Sequence, residues 1–168
     1  LEKKLGKLNI IVEDLGYLTP SVMKLVRDSG FSGMKVLQFA FDTREDGDYL
    51  PHNYPDYCVV YTGTHDNDTI NGWMKSAPKE SVKNATAYLN LTKEEGYHWG
   101  MMRGAWSSVG QLVIVTMQDV LGLGSEARMN TPSTLGTNWK WRAEKGSYHA
   151  ALAKKLAKNM ELYGRKRK

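Results

Sequence analysis

The chain has 168 residues, 41% of them hydrophobic and 24% charged, with a formal net charge of +5. These values exclude a collagen-like or wholly disordered chain and allow one core without metals or disulfides. The charge is local: residues 154–168 carry seven Lys or Arg against one Glu, and the remaining residues carry sixteen basic and seventeen acidic side chains.

That basicity reads as a solvated tail, and without an aromatic-rich basic groove no nucleic-acid partner is expected. The longest apolar runs span only a few residues, too few for a transmembrane helix, so no membrane partner is expected. No basic-then-apolar leader opens the chain, and the single cysteine, Cys58, fits a reducing compartment. A cytoplasmic location is expected. The chain opens on Leu1, and LEKKLGKLN reads as the tail of a helix already in progress, as in a fragment of something longer.

No repeat, low-complexity tract or long Gly/Ser linker divides the chain, so residues 1–168 read as a single unit with a basic tail at 154–168. The first apolar run, Leu8 to Val12, is short and β-branched and predicts a buried strand. After EDLG, Thr19 as N-cap, Pro20 in the first turn and Gly30 as terminator predict a helix, with Val22, Leu25 and Val26 as its apolar stripe. Met34–Phe39 predicts a second strand, Cys58–Tyr61 a third and Leu112–Val115 a fourth. Helical patterns cover roughly 66–75, 79–90, 93–108 and 146–163. Strands separated by helical crossovers imply a parallel α/β arrangement. Four of them make either half of an eight-stranded barrel, which needs about 250 residues, or a short doubly wound sheet.

In parallel α/β folds reactive groups collect at the carboxyl ends of strands. There the sequence places Glu13 and Asp14, then Asp42, then His65, Asp66, Asn67 and Asp68, then Gln118 and Asp119. Glu13 directly follows IIV; partial desolvation there suits a general acid, while a loop ion pair or helix cap is the plainer role. In THDND, His65 and Asp66 suit gripping sugar hydroxyls and stabilising a developing positive charge. A divalent-metal site would need further ligands, and His52, His98 and His149 stand at no ligand spacing. Asp68, just ahead of Thr69 and Ile70, is also placed to start a helix. No G-x-S-x-G elbow occurs, Cys58 lies in an apolar run where a thiol is inert packing, and LGLGS lacks the spacing of a phosphate loop. Trp139 and Trp141 offer either a sugar-stacking platform or caps on the core.

Four segments, IIVEDLG, GMKVLQFAF, YTGTHDNDT and SEARMNTPSTLGTNWKWR, occur in this order between residues 10 and 142, within a resemblance that runs from about residue 8 to 163. Together they resemble the carboxyl-terminal part of amylomaltases, the 4-α-glucanotransferases of glycoside hydrolase family 77. The resemblance implies the carboxyl-terminal half, strands five to eight, of an α-amylase-type (β/α)8 TIM barrel. It also implies transfer of an α-1,4-glucan segment to glucose or another glucan, with retention of configuration and no cofactor. Glu13 then matches the general acid/base, Asp66 the transition-state stabiliser and His65 a residue binding the reacting sugar. Asp42 and Asn130 match positions lining the glucan subsites. Ser133 stands where the family commonly has glycine.

The family's nucleophilic aspartate sits on the fourth strand in an arginine-x-aspartate motif, expected ahead of residue 1 and absent from this chain. The isolated chain is therefore expected to be inactive. A non-catalytic glucan-binding or assembly fragment is the alternative, and a metal-dependent hydrolase built on THDND a third reading. The open edges of a half-barrel predict self-association.

Overall fold

The computed structural model describes residues 2–6, 8–16, 18–44 and 47–166. The fold is α/β, built on a three-stranded parallel sheet in the order β1 (Gly33–Val36), β2 (Cys58–Tyr61), β3 (Leu112–Ile114). Gly33 pairs with Cys58 and Val36 with Tyr61; Val59 pairs with Leu112 and Tyr61 with Ile114. Both pairings are parallel, so all three carboxyl ends, and the loops leaving them, lie at one edge of the sheet.

The run expected to form a first strand makes only one parallel bridge, from Ile11 to Ser32. It has a single pairing neighbour among the described residues, and Ile11 stays 42% exposed. Without a second neighbour and a covered face, β-branched composition alone does not hold a strand. The second strand is shorter than expected. β2 ends opposite Val36, the Gln38 amide donates to the Thr62 carbonyl, and Leu37–Phe41 winds into a 3₁₀ turn.

The helices are α1 (Glu2–Leu5), α2 (Pro20–Ser29), α3 (Ile70–Ser76), α4 (Lys79–Leu89), α5 (Tyr97–Trp106), α6 (Met117–Val120) and α7 (Ala150–Leu162). Of the LEKKLGKLN segment, Leu1 and Lys7 lie outside the described residues. α2 begins and ends as expected: the Val22 amide donates to Thr19 Oγ1, and Gly30 closes the helix in the left-handed region at φ 68°. Its apolar stripe, however, buries no residue. Three helices start later than their periodicity suggests. α3 is capped by Thr69, whose Oγ1 accepts from the Gly72 amide, and not by Asp68. Gly96 precedes α5, and the His149 ring accepts from the Leu152 amide to start α7.

The core lies between the sheet and α5, where Trp99, Met101, Met102, Ala105 and Trp106 join Leu37, Phe41, Cys58, Val60 and Ile70. α5 carries Gly104 where a Cβ would stand 2.6 Å from Leu89 Cδ2, so the missing side chain lets α4 approach. Cys58 is buried, which pushes its thiol up and keeps it inert.

The carboxyl-terminal basic segment is only partly the solvated tail expected. Lys155 Nζ sits 3.7 Å from the Trp99 ring centroid. The Arg165 guanidinium donates to the carbonyls of Trp106, Ser108 and Gly110 at 3.1, 2.7 and 2.6 Å. Those groups end α5 and lead to β3, so Arg165 satisfies carbonyls that helix geometry leaves orphaned. Arg167 and Lys168 lie outside the described residues. Among the described residues no helix is long and apolar enough to cross a membrane.

Candidate active site

The segment after β2, Thr62 to Thr69, makes a tight turn. Asn67 Oδ1 accepts from the Thr64 amide at 2.8 Å and from the Thr64 hydroxyl at 2.9 Å, and the Asn67 amide donates back to the Thr64 carbonyl. Such side-chain bonds to backbone favour a turn over a helix, which is why the helix waits until Ile70. The Asp66 amide bonds to Thr64 Oγ1 at 3.2 Å. This leaves the Asp66 carboxylate projecting from the tip, 44% exposed and within reach of a ligand.

Two side chains reach that carboxylate and a third packs on one of them. Asn130 Nδ2 donates to Asp66 Oδ1 at 2.6 Å. His65 Nε2 lies 3.3 Å from the same oxygen. Trp139 places its ring centroid 5.0 Å from that of His65, and is itself 55% exposed. The backbone follows suit: the Asn130 amide donates to the His65 carbonyl at 3.1 Å, and the Trp139 amide to the Met129 carbonyl at 2.7 Å. Arg128 ties the two segments together, donating from Nη2 to the Asp66 carbonyl at 2.6 Å and from Nε to the Asn130 carbonyl at 2.8 Å.

Asp42, at the end of the 3₁₀ turn after β1, lines the same cleft as Asp66. The cleft holds about 280 Å³ and is also walled by Gln38, Asp68, Trp73 and Arg128. Arg44 grips Asp42 from Nε to Oδ1 at 2.9 Å and from Nη2 to Oδ2 at 2.6 Å, and its amide adds a third bond at 3.0 Å. These contacts hold the Asp42 carboxyl down at about 2. Asp42 thus faces the cleft as a carboxylate already engaged by a cation.

Glu13 follows the Ile11 bridge and is exposed, so the desolvation expected of it is not present. Its charge is felt at Tyr61, the last residue of β2, whose phenol is raised first by burial and then by Glu13. The sheet edge therefore gathers His65, Asp66 and Asn130 in direct contact, with Asp42 across a shared cleft and Glu13 beside the end of β2. THDND does not converge as a metal cage. Asp68 accepts from the Thr69 amide and the Ser125 hydroxyl, while Asp66 turns to Asn130.

Sequence reasoning missed Arg128, whose two backbone carbonyl partners leave no motif beyond its place two residues before Asn130. It also missed the strain that the departure at Ser133 carries. That residue sits at φ +61°, the left-handed region that favours glycine. The sequence does contain one arginine-x-aspartate triplet, contrary to expectation: Arg44-Glu45-Asp46. It follows β1 instead of preceding the first apolar run, its arginine is bound to Asp42, and Glu45 and Asp46 lie outside the described residues.

The sequence model described as 4-alpha-glucanotransferase, glycoside hydrolase family 77, matches residues 1–148. The chain belongs to this family. Among similar curated proteins, the 4-alpha-glucanotransferase of Clostridium butyricum is 50% identical over 98% of this chain and 34% of its own length. The chloroplastic/amyloplastic 4-alpha-glucanotransferase of Solanum tuberosum is 48% identical over 95% of the chain and 28% of its own length. The chain thus spans about a third of the length of the curated relatives it matches. Among solved structures, an amylomaltase from Streptococcus agalactiae in complex with acarbose matches with a TM-score of 0.93 at 36% identity, covering 99% of this chain and 34% of that one. An amylomaltase from Corynebacterium glutamicum matches at 0.60 and 18% identity, a likeness of fold alone.

Proposed function

We propose that this chain supplies the acid/base and transition-state-stabilising part of a 4-α-glucanotransferase site. The observation carrying the reading is the Asp66 cluster. An exposed carboxylate is fixed by Asn130 and flanked by a tilted His65–Trp139 ring pair, at the carboxyl end of a parallel sheet, in a chain of this family.

A retaining glycosyl transfer breaks one α-1,4 bond and makes another through two displacements at the anomeric carbon. In the first, a carboxylate nucleophile attacks C1 while a general acid gives its proton to the departing glycosidic oxygen. In the second, the acceptor hydroxyl loses a proton to the same group and attacks C1, releasing the nucleophile. Glu13 takes the acid/base role. Asp66 holds the distorted sugar and offsets positive charge as oxocarbenium character grows, with Asn130 and His65 fixing the direction in which its oxygens point. His65 and the exposed face of Trp139 line the sugar subsite, and aromatic cover there favours an acceptor sugar over water. Asp42, neutralised in part by Arg44, borders the cleft at a further sugar position. No cofactor enters this scheme.

The nucleophilic carboxylate comes from outside these residues, in keeping with the third of relative length that the chain spans. The strands belong to the second half of an eight-stranded barrel, residues 1–168 acting as one unit of it. The exposed outer strand, with Leu112 at 48%, supports self-association when the chain stands alone. The free buried Cys58 supports the cytoplasm as its compartment, although the potato relative is a plastid form.

Calorimetry with maltooligosaccharides tests the reading: the chain binds them, and Asp66→Ala weakens binding by roughly tenfold, about 1.4 kcal/mol. Binding indifferent to that substitution overturns it. Glucose release from maltotriose by the chain alone overturns its inactivity.

A further inference from the structure

One buried ionisable group takes no part in this scheme. Asp119, in α6, is 1% exposed. Its two carboxylate oxygens go to opposite ends of the same loop. Asp119 Oδ2 accepts from the Thr62 hydroxyl at 3.0 Å, and Oδ1 accepts from the Ile70 amide at 2.7 Å. Thr62 is the first residue beyond β2 and Ile70 the first of α3, so the segment between them is the one carrying His65 and Asp66.

Asp119 is held in turn. Its amide bonds to Thr116 Oγ1 at 3.2 Å, fixing it to the turn that follows β3. Gln38 braces the loop from the other side, its amide donating to the Thr62 carbonyl at 3.3 Å and its Nε2 to the Asp68 carbonyl at 2.9 Å.

We propose that Asp119 is the positioning residue of the His65–Asp66 loop, clamping both ends so that the Asp66 carboxylate is presented at a fixed height above the sheet. This rests on the glucanotransferase reading for its consequence, although the clamp itself does not. A buried carboxylate is a costly group to retain for packing alone. Two donors from residues eight apart are what repay it here, and they define where the intervening chain must run. The clamp works through hydrogen bonds and not through charge at the substrate. An asparagine can therefore replace it: Oδ1 keeps the Ile70 amide while Nδ2 donates to a Thr62 hydroxyl turned to accept.

The test compares wild type, Asp119→Ala, Asp119→Asn and Thr62→Val in the full chain, by amide hydrogen exchange and by maltooligosaccharide calorimetry. Asp119→Ala is expected to speed exchange at residues 63–69 by at least about tenfold relative to the amides of α5, and to weaken binding roughly tenfold, since displacements near 1 Å are costly at such sites. Asp119→Asn restores both to within about threefold of wild type, and Thr62→Val, which frees one end only, falls between.

A purely structural role would quicken exchange through α5 as much as in the loop, and that result overturns the proposal. So does an asparagine variant as damaged as the alanine one. If Asp119→Ala does not fold, the asparagine and Thr62→Val chains decide by the same exchange pattern. If wild type binds no glucan, the glucanotransferase reading fails, and the exchange pattern still decides the clamp.

Discussion

Helices α2 and α5 are both ten residues long and reverse the usual relation between local signal and burial. α2 has nearly every device that starts and stops a helix: a Thr19 cap, Pro20 in the first turn, a left-handed Gly30 at the end. It buries nothing, and Leu25 on its apolar stripe is 68% exposed. α5 has no side-chain cap, carries two internal glycines, and is nonetheless the most buried helix, from Trp99 to Trp106. Local chemistry thus fixes where a helix begins and ends, while neighbours fix what it is worth. α5 has the sheet, α4 and Arg165 around it; no residue of α2 joins the core cluster.

Substitutions on the two helices should therefore differ most. Trp106→Ala, at 3% exposure, is expected to cost about 3–5 kcal/mol in denaturant unfolding, whereas Leu25→Ala costs less than about 0.5 kcal/mol. Equal losses would erase the contrast. Arg165→Ala tests what α5 owes to its distant clasp: three carbonyls lose a charged donor, for an expected loss of about 2 kcal/mol.

A smaller effect is expected in the cleft. The folded Asp42 carboxyl, at about 2, lies below its unfolded value near 4, so the Arg44 contact adds stability that is full above about pH 4 and disappears as the pH falls toward 2. With Arg44 87% exposed, Arg44→Ala should remove at most about 1 kcal/mol of that pH-dependent difference, read from acid titrations of both proteins. Last, Ser133→Gly relieves a left-handed backbone and should raise stability by about 0.5 kcal/mol, the gain being offset in part by glycine's freer unfolded chain.

The parallel α/β class was legible because Cys58–Tyr61 and Leu112–Ile114 are short β-branched runs with helical patterns between them. The Leu8–Val12 run has the same composition, yet strand formation there depended on pairing partners that composition does not encode. Asp66 and Asn130 were legible as motif members, but their 2.6 Å contact joins residues 64 apart in sequence. Asp119 was legible as a polar group at the end of a strand but its partners were not, and Arg128 was not legible at all. Arg128 reaches the Asp66 carbonyl and Asp119 the Ile70 amide, and a backbone carbonyl or amide has no identity in a sequence. Glu13 marks the opposite failure, since an apolar run before a carboxyl predicted burial that the fold does not provide.

The tilted contact of Trp139 with His65 has an optical consequence. The chain has five tryptophans, among which Trp99 and Trp106 are sealed in the core. Trp139 alone lies against the imidazole beside Asp66, its left-handed backbone at φ 64° turning the indole onto that ring. Imidazole in contact with indole quenches its emission. A sugar that slides between the rings, or a loop that carries His65 away, changes the light from Trp139, with Trp73 in the wall of the same cleft as a second reporter, so the site signals its own occupancy without a label.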